Sequence, residues 1–394
     1  MTFDIAQRFR PDLPPPEAPW TDPPRYSFVG GHNDPGSVPF AGLAEAATSV
    51  LRREGERLAT YNLGGSPLGY RPLRELVSRN LAARAGLNAA AEQVLITSGS
   101  LQALDLVNTI LLEPGDTVIV EQATYGGMIS RLQALGVTIV GVDVDRDGLD
   151  TDHLGRLLDR GVRPKFIYTI PTVQNPTGTV MTVERRLRLL ELARDYGVPI
   201  FEDDCYADLL WGQPRPPSIR ALDEEGTGGQ VIYCGSFSKS IAPALRVGYL
   251  VADESVLAQM SALKTDAGTG ALEQLVLAEY GASHFDGHVE QLVSVLHAKC
   301  AVMAEAVSTE LGSTATFDSP QGGIFIWLTF PEGFDTGALA GPARAAGVEF
   351  NPGAGWSADP VWGARRLRLC FGQPSHDVIR EGVAALADAV KTIT

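Results

Sequence analysis

The sequence predicts an α/β fold: a large domain with a mainly parallel, helix-covered sheet, and a smaller α+β domain formed by the C-terminal part together with an N-terminal segment. Between residues 93 and 251, short apolar runs alternate with segments of helical period, the pattern of strand–helix–strand units with right-handed crossovers. At 394 residues the chain exceeds what one hydrophobic core usually holds. After residue 251 the alternation stops and longer helices take over. The expected division is an N-terminal arm and small-domain segment at 1–55, a large domain at 56–285 and a small domain at 286–394.

Taken in order, residues 1–40 are rich in proline (Pro11, Pro14, Pro15, Pro16, Pro19, Pro23, Pro24) and have little helix potential, so an extended arm is expected. It ends in YSFVGGHNDPGSVP (26–39), where Gly30-Gly31 permits close backbone approach and Asp34-Pro35-Gly36 is a turn. A helix is expected over 43–58, followed by YNLGGSPLGYRPLRELV (61–77). Residues 94–97 read as a strand, Ser98-Gly99-Ser100 as a small-residue turn, and 101–112 as a helix burying Leu101, Leu104, Val107 and Leu111. A helix N-terminus after a strand presents free N–H groups and a positive dipole end, a natural phosphate seat.

Glu113-Pro114-Gly115-Asp116 turns the chain into a strand at 117–120, beyond which Tyr125 stands ready to stack on a planar ring. A strand at 137–142 and a helix at 152–158 continue the alternation. The strand at 165–170 runs into PTVQNPTG (171–178), where the Asn175-Pro176 pair directs an uncharged amide. Thr182 caps a helix expected to bury Val183, Leu187, Leu190 and Ala193 and to end near Gly197. The strand at 198–201 leads into Glu202-Asp203-Asp204-Cys205-Tyr206, and several acids at a strand end are costly unless they meet a cation. Strand alternation points Asp203 and Asp204 to opposite faces. Beyond residue 250, helices are expected at 252–263, 275–280 and 288–311, with a polar, glycine-bearing loop at 264–274. Strands at 323–330 and 366–371 and helices at 339–346 and 376–391 make up the last unit.

The chemistry concentrates in VIYCGSFSKSIAPALRVGYL (231–250). Five lysines (Lys165, Lys239, Lys264, Lys299, Lys391) stand against 27 arginines. One of the five sits between serines just after a strand, where an ammonium loses hydration and its proton more easily and can act as an amine nucleophile. Ser236 and Arg246 flank it as anion-binding residue types, the combination that an aldehyde carrying a phosphate would need.

This stretch resembles S-x-S-K-x(6)-R-x-G, the lysine signature of fold type I pyridoxal-phosphate aminotransferases of class I/II. The resemblance spans roughly residues 26–390 and is similar to the branch of 2-aminoadipate and aromatic aminotransferases, which also contains aminotransferase-like domains of transcription regulators. It implies pyridoxal 5'-phosphate held by Lys239, with Ser98, Gly99, Ser100, Ser236, Ser238 and Arg246 around the phosphate, Tyr125 stacked on the ring, and Asn175, Asp203 and Tyr206 setting ring electronics. Arg368, aligned by L-R-x-x-F with Arg366 as the neighbouring alternative, is implied for the α-carboxylate, together with Asn175 and the substrate-mouth residues Gly31, His32 and Asn33. His32-Asn33 replaces residues that are apolar in most of the family, and Leu101 stands where the pattern has glutamine. A homodimer with composite active sites is implied, with Tyr61, or Tyr70, reaching the partner's cofactor phosphate and the 264–274 loop approaching the partner's site. The reaction implied is transfer of the amino group of an α-amino acid to a 2-oxo acid. A lyase or a decarboxylating or deaminating enzyme on the same scaffold is the alternative.

Bulk properties agree. A net charge of −15 argues against nucleic-acid binding, and 25 proline-rich residues at the start are not expected to supply a DNA-binding domain. The N-terminus lacks the basic-then-apolar pattern of a signal peptide, and the apolar runs fall short of a membrane span. Cys205, Cys234, Cys300 and Cys370 have no CxxC spacing, so they read as reduced thiols of a cytoplasmic protein, with no metal site.

Overall fold

The computed structural model describes residues 4–9, 13, 16, 19, 22–224 and 229–393. Part of the proline-rich arm, including Pro11, Pro14 and Pro15, lies outside the described residues. The central sheet has seven strands: β1 Val94–Thr97, β2 Thr117–Glu121, β3 Thr138–Val142, β4 Ile167–Thr169, β5 Ile200–Asp203, β6 Val231–Ser236 and β7 Gly248–Val251. Their spatial order is β1-β7-β6-β5-β4-β2-β3. Pairing is parallel from β6 through β5, β4 and β2 to β3, and β7 runs antiparallel to both neighbours. Helices cover both faces, so β1, β5 and β6 are buried along their whole length, and β1 and the start of β6 read as continuous apolar runs rather than alternating ones.

The helix Val183–Tyr196 has the expected ends: Thr182 Oγ1 accepts from Arg185 N, and Gly197 takes a left-handed conformation. Its buried face is only in part the expected one: Leu190 and Ala193 are inside, as expected. Val183 and Leu187 are 40% and 44% exposed, while Arg186 is fully buried beside Leu189, Leu190 and Ala193. The Arg186 guanidinium donates to the carbonyls of Pro171, Met181 and Pro217 and lies 3.7 Å from Glu202. A buried, fully bonded arginine rotates the helix, and apolar periodicity cannot register it. Similarly, in the helix Ser100–Leu111 the fully buried positions are Ala103, Leu104, Leu106, Val107 and Asn108, with Leu101 and Leu111 only partly covered.

The two helices expected at 275–280 and 288–311 are one, Ala271–Glu310, which also takes up the end of the expected 264–274 loop. The polar run at 282–287 reads as a break, yet it only forms the exposed face around buried Phe285. By length and hydropathy this helix would suffice to cross a membrane. Its apolar residues instead join two cores. Those up to Val289 pack with Val50, Leu73 and Val94, and those from Leu292 onward pack with the C-terminal strands. The expected boundary at 285/286 falls within this continuous element.

The C-terminal sheet has the order β8 Phe325–Thr329, β10 Arg366–Cys370, β9 Asn351–Pro352, all antiparallel. The N-terminal segment belongs to this lobe: Tyr26–Ser27 pairs with Val348–Glu349, and Phe28 is buried in the same core. Lys299, on the long helix, holds the next stretch. Its Nζ donates to Asp34 Oδ1 (2.6 Å), Gly372 O (2.9 Å) and Gln373 O (3.3 Å), so all three ammonium protons are used. Removing one partner of such a pair strands the other. Lys299→Met is therefore expected to destabilise the fold by about 3–5 kcal/mol, read as a lowered thermal unfolding midpoint against wild type at equal concentration; an unchanged midpoint would show the ion pair to be dispensable.

Candidate active site

Between the lobes, at the C-terminal ends of the parallel strands, lies a cavity of about 360 Å³. Gly31, Ser100, Tyr125, Asn175, Asp203, Tyr206, Ser238, Lys239, Arg246 and Arg368 all line it, although they are drawn from residues 31 to 368 of the chain. Open α/β sheets place their sites in this way because loops leaving adjacent strands converge there.

At one end, Arg246 sits in the left-handed region (φ 53°), at the end of the short turn Pro243–Leu245, with Nη1 on Pro243 O (3.2 Å) and Nη2 on Ser98 O (3.3 Å). Gly99 (φ +75°) makes room for it: a Cβ there would lie 2.4 Å from Arg246 Nη2 and 2.9 Å from Cζ. Ser100 opens the helix Ser100–Leu111, whose N-terminal dipole faces the same corner. Ser236 and Ser98 stand behind the lining. Ser236 Oγ accepts from Ser238 N (3.1 Å), and Ser98 N donates to Gln102 Oε1 (2.8 Å). Leu101 does face the cavity. A glutamine one position later, Gln102, ties the turn to the 264–270 loop through Asp266 Oδ2 (2.7 Å).

In the middle, Lys239 Nζ donates to Gly31 O (2.6 Å) and lies 5.6 Å from the Tyr206 ring centroid. Gly31 allows this approach, since a Cβ there would stand 3.0 Å from Nζ. Burial pushes the ammonium's pKa below its ordinary value, and the Arg368 and Arg246 charges push the same way. At the base, Asp203 accepts from Tyr168 OH (2.7 Å) and from Cys205 N (3.2 Å), and burial raises its pKa. Asp204 turns away to Arg215 Nη2 (2.8 Å). Below β4, Glu121 accepts from Thr169, Ile170 and Gln174, and burial pushes its carboxyl up to about 7. Gln174 in turn holds Thr177 and thus braces the turn that carries Asn175.

At the far end, Arg368 is 2% exposed and pressed against the rings of Trp356 (3.5 Å) and Phe325 (3.9 Å). Its Nη1 donates to Asn175 Oδ1 (3.1 Å), and its Nη2 donates to Gly30 O (2.7 Å) and Asn351 Oδ1 (2.8 Å). Desolvation lowers its pKa to about 10. Arg366, two residues earlier, stacks instead on Trp362, outside this cavity.

Some expected residues are elsewhere. His32 folds its ring back against Gly30, and Asn33 Nδ2 donates to the main-chain carbonyl of Lys239 (3.0 Å); neither lines the cavity. Tyr61 is 81% exposed, and Tyr70 donates its hydroxyl to the Glu54 carboxylate (2.9 Å). Trp356, Asn351 and Tyr168 also belong to the site, with little local signal in the sequence. Trp356 has a faint signal, an aromatic residue after the flexible Pro352-Gly353-Ala354-Gly355 run, whereas Tyr168 reads as an ordinary strand residue.

A buried amine between two anion-seeking arginines, with an uncompensated acid below it, on the strand ends of a parallel sheet, defines a pyridoxal-phosphate enzyme of fold type I. The chain belongs to the aminotransferase class I and II family, whose model matches residues 39–386. It is 36% identical to the 2-aminoadipate transaminase of Thermus thermophilus, over 93% of this chain and 90% of that relative. It is 32% identical to aromatic-amino-acid aminotransferase 1 of Thermococcus litoralis, over 93% and 88%. The crystal structure of LysN, the α-aminoadipate aminotransferase of T. thermophilus complexed with N-(5'-phosphopyridoxyl)-L-leucine, superposes with a TM-score of 0.87 at 35% identity, covering 93% of this chain and 92% of that one. The protein is thus a pyridoxal-phosphate-dependent aminotransferase, moving the amino group of an α-amino acid to a 2-oxo acid.

The residues present suit that cofactor. Gly99 leaves space for a guanidinium at an anion seat, and Asp203 is a buried acid whose partners among the described residues are neutral donors. Gly99→Ala would displace the Arg246 guanidinium. A charge-assisted bond is worth about 1.5–3 kcal/mol, so affinity for pyridoxal phosphate should fall by about tenfold or more, measured by titrating the cofactor into apo-protein and following its absorbance. Unchanged affinity would place the phosphate elsewhere.

Proposed function

We propose that Lys239 is the residue that holds the cofactor covalently and moves the substrate's α-proton. The observation that carries this is the buried Nζ at the cavity's centre, its pKa lowered by desolvation, with an anion site at either end. When bound, pyridoxal phosphate supplies an aldehyde carbon and an electron-withdrawing ring. Arg246, Ser100, Ser238 and the helix dipole would hold its phosphate; Arg246 would contribute about 1.5–3 kcal/mol against roughly 0.3–1 for the dipole. Tyr125, whose ring lies 5.8 Å from the Trp356 ring centroid, would pack on the cofactor ring. Asp203, its carboxylate oriented by Tyr168, would keep a proton on the ring nitrogen. Tyr206 OH and Asn175, whose Oδ1 is committed to Arg368, would serve the phenolic oxygen. Arg368 would take the α-carboxylate, and Lys239 Nζ would carry the proton away from the substrate's α-carbon.

The assembly proposed is a homodimer with composite sites. Exposed Tyr61 and the Lys264–Gly270 loop stand on the surface of one protomer, and Tyr70 is already occupied by Glu54. The division at 1–55, 56–285 and 286–394 is proposed for each protomer, since the long helix changes core between Val289 and Leu292. Four free cysteines, three of them buried, fit a cytoplasmic setting.

A panel of α-amino acids, followed by the cofactor's absorbance and by mass spectrometry of products, tests the reading. Stoichiometric 2-oxo acid, with recovery of the original spectrum on adding a 2-oxo acid, is expected; ammonia or carbon dioxide would overturn it. Borohydride reduction followed by peptide mapping should place the cofactor on Lys239, and label on another lysine would remove that residue from its role. Asp203→Asn is expected to slow α-proton removal by about 10- to 100-fold, the worth of one bond to a charged group, whereas Asp204→Asn should leave it within a few-fold. Single-turnover rates with a deuterated amino acid check the difference.

A further inference from the structure

The hydrogen bonds of Arg368 carry more than its identity. A guanidinium has five N–H donors: one on Nε and two on each Nη. Both Nη2 donors are spent, one on Gly30 O (2.7 Å) and one on Asn351 Oδ1 (2.8 Å). One Nη1 donor is spent on Asn175 Oδ1 (3.1 Å). Nε is buried and has no partner among the described residues. With aromatic rings 3.5 and 3.9 Å away, a carboxylate can meet this group only in its plane.

A carboxylate grips arginine with two parallel bonds, either end-on to Nη1 and Nη2 or side-on to Nε and Nη2. Both arrangements use Nη2, and here Nη2 has no proton to spare. One of its two acceptors must leave before a carboxylate can grip the group with both bonds. Gly30 O is held in place by its chain: the 26–28 segment is paired with residues 348–349, and Asp34 is anchored to Lys299. Asn351 reaches Arg368 through a side chain, which can turn about its own bonds. Its oxygen must be the atom facing Arg368, because a guanidinium offers no acceptor. The orphaned Nε marks where the second substrate oxygen goes, and meeting it satisfies a donor that is costly to leave buried and unpaired.

We propose that Asn351 is a latch on the substrate-carboxylate site: its side-chain oxygen occupies Arg368 Nη2 in the substrate-free enzyme and swings away as the α-carboxylate binds side-on through Nε and Nη2. Asn351 is thus a positioning residue that sets substrate affinity by competition. The inference rests on the reading of Arg368 as the α-carboxylate site. A latch of this kind keeps the buried cation solvated by protein while no substrate is present, and it weakens every carboxylate equally, whatever its side chain.

The test uses the holoenzyme and the amino acid that converts the wild type fastest, together with that amino acid's amine-free analogue (hydrogen in place of the amino group), whose dissociation constant is read by calorimetry. Asn351→Ala removes the competing acceptor. It should lower both KM and the analogue's dissociation constant by about three- to tenfold, with kcat changed less than twofold. Asn351→Asp replaces the latch with a permanent anion and should raise both by tenfold or more, with the cofactor's absorption spectrum unaltered. A residue that merely packs would move both variants in the same direction. Weaker or unchanged analogue binding in Asn351→Ala overturns the latch. Arg368→Gln, run alongside, separates the two readings: if it leaves KM and analogue affinity unchanged, Arg368 does not hold the carboxylate and the premise itself fails.

Discussion

The site depends on a small set of hydrogen bonds that cross between the two lobes. Lys239, on the loop after a strand of the large sheet, donates its Nζ to the carbonyl of Gly31, in a segment that belongs to the C-terminal lobe. Asn33 closes the same junction by donating to the main-chain carbonyl of Lys239. A buried ammonium must have an acceptor, and this one has a carbonyl from the other lobe, so the cavity is closed on one side by the segment that also feeds Gly30 O to Arg368. Lysine, arginine and mouth segment form one connected unit.

Around that unit the protein balances charges that are expensive to bury. Desolvation depresses both the Arg368 guanidinium and the Lys239 ammonium, and the Arg368 charge depresses the lysine further. Beneath them Asp203 and Glu121 are both pushed upward by burial, each supported by neutral donors rather than by a salt bridge. This leaves two cationic sites and one acid whose natural counter-charges come from a bound cofactor and substrate. The remaining buried acids among the described residues are settled within the protein: Asp204 has Arg215, Asp223 has Arg194, and Glu202 is close to Arg186 and takes the main-chain N–H groups of Ile219 and Arg220.

Much of this was legible from residue order. The strands were found because sheets covered on both faces leave continuous apolar runs, and the site residues because each follows such a run: Tyr125 after β2, Asn175 after β4, Lys239 after β6. The helical faces were less legible. Apolar periodicity placed Val183 and Leu187 inward, but the helix turns to bury Arg186, whose bonds to three carbonyls come from the distant residues Pro171 and Pro217 as well as from nearby Met181. The polar stretch at 282–287 suggested a break where the long helix only changes its exposed face.

The sequence by itself determined the class of chemistry, because a lysine between serines after an apolar run, an acid pair at a strand end and an Asn-Pro turn are local patterns with local physical causes. It also determined the sheet, whose strands are set by their own hydrophobicity. Only the tertiary structure decided which neighbours those residues have. That Asn351 occupies Arg368, that Asn33 grips the lysine's backbone rather than the cavity, and that Trp356 covers the arginine involve residues 17, 206 and 12 positions apart. Such contacts follow from how strands and lobes pack in three dimensions, and no short-range pattern encodes them.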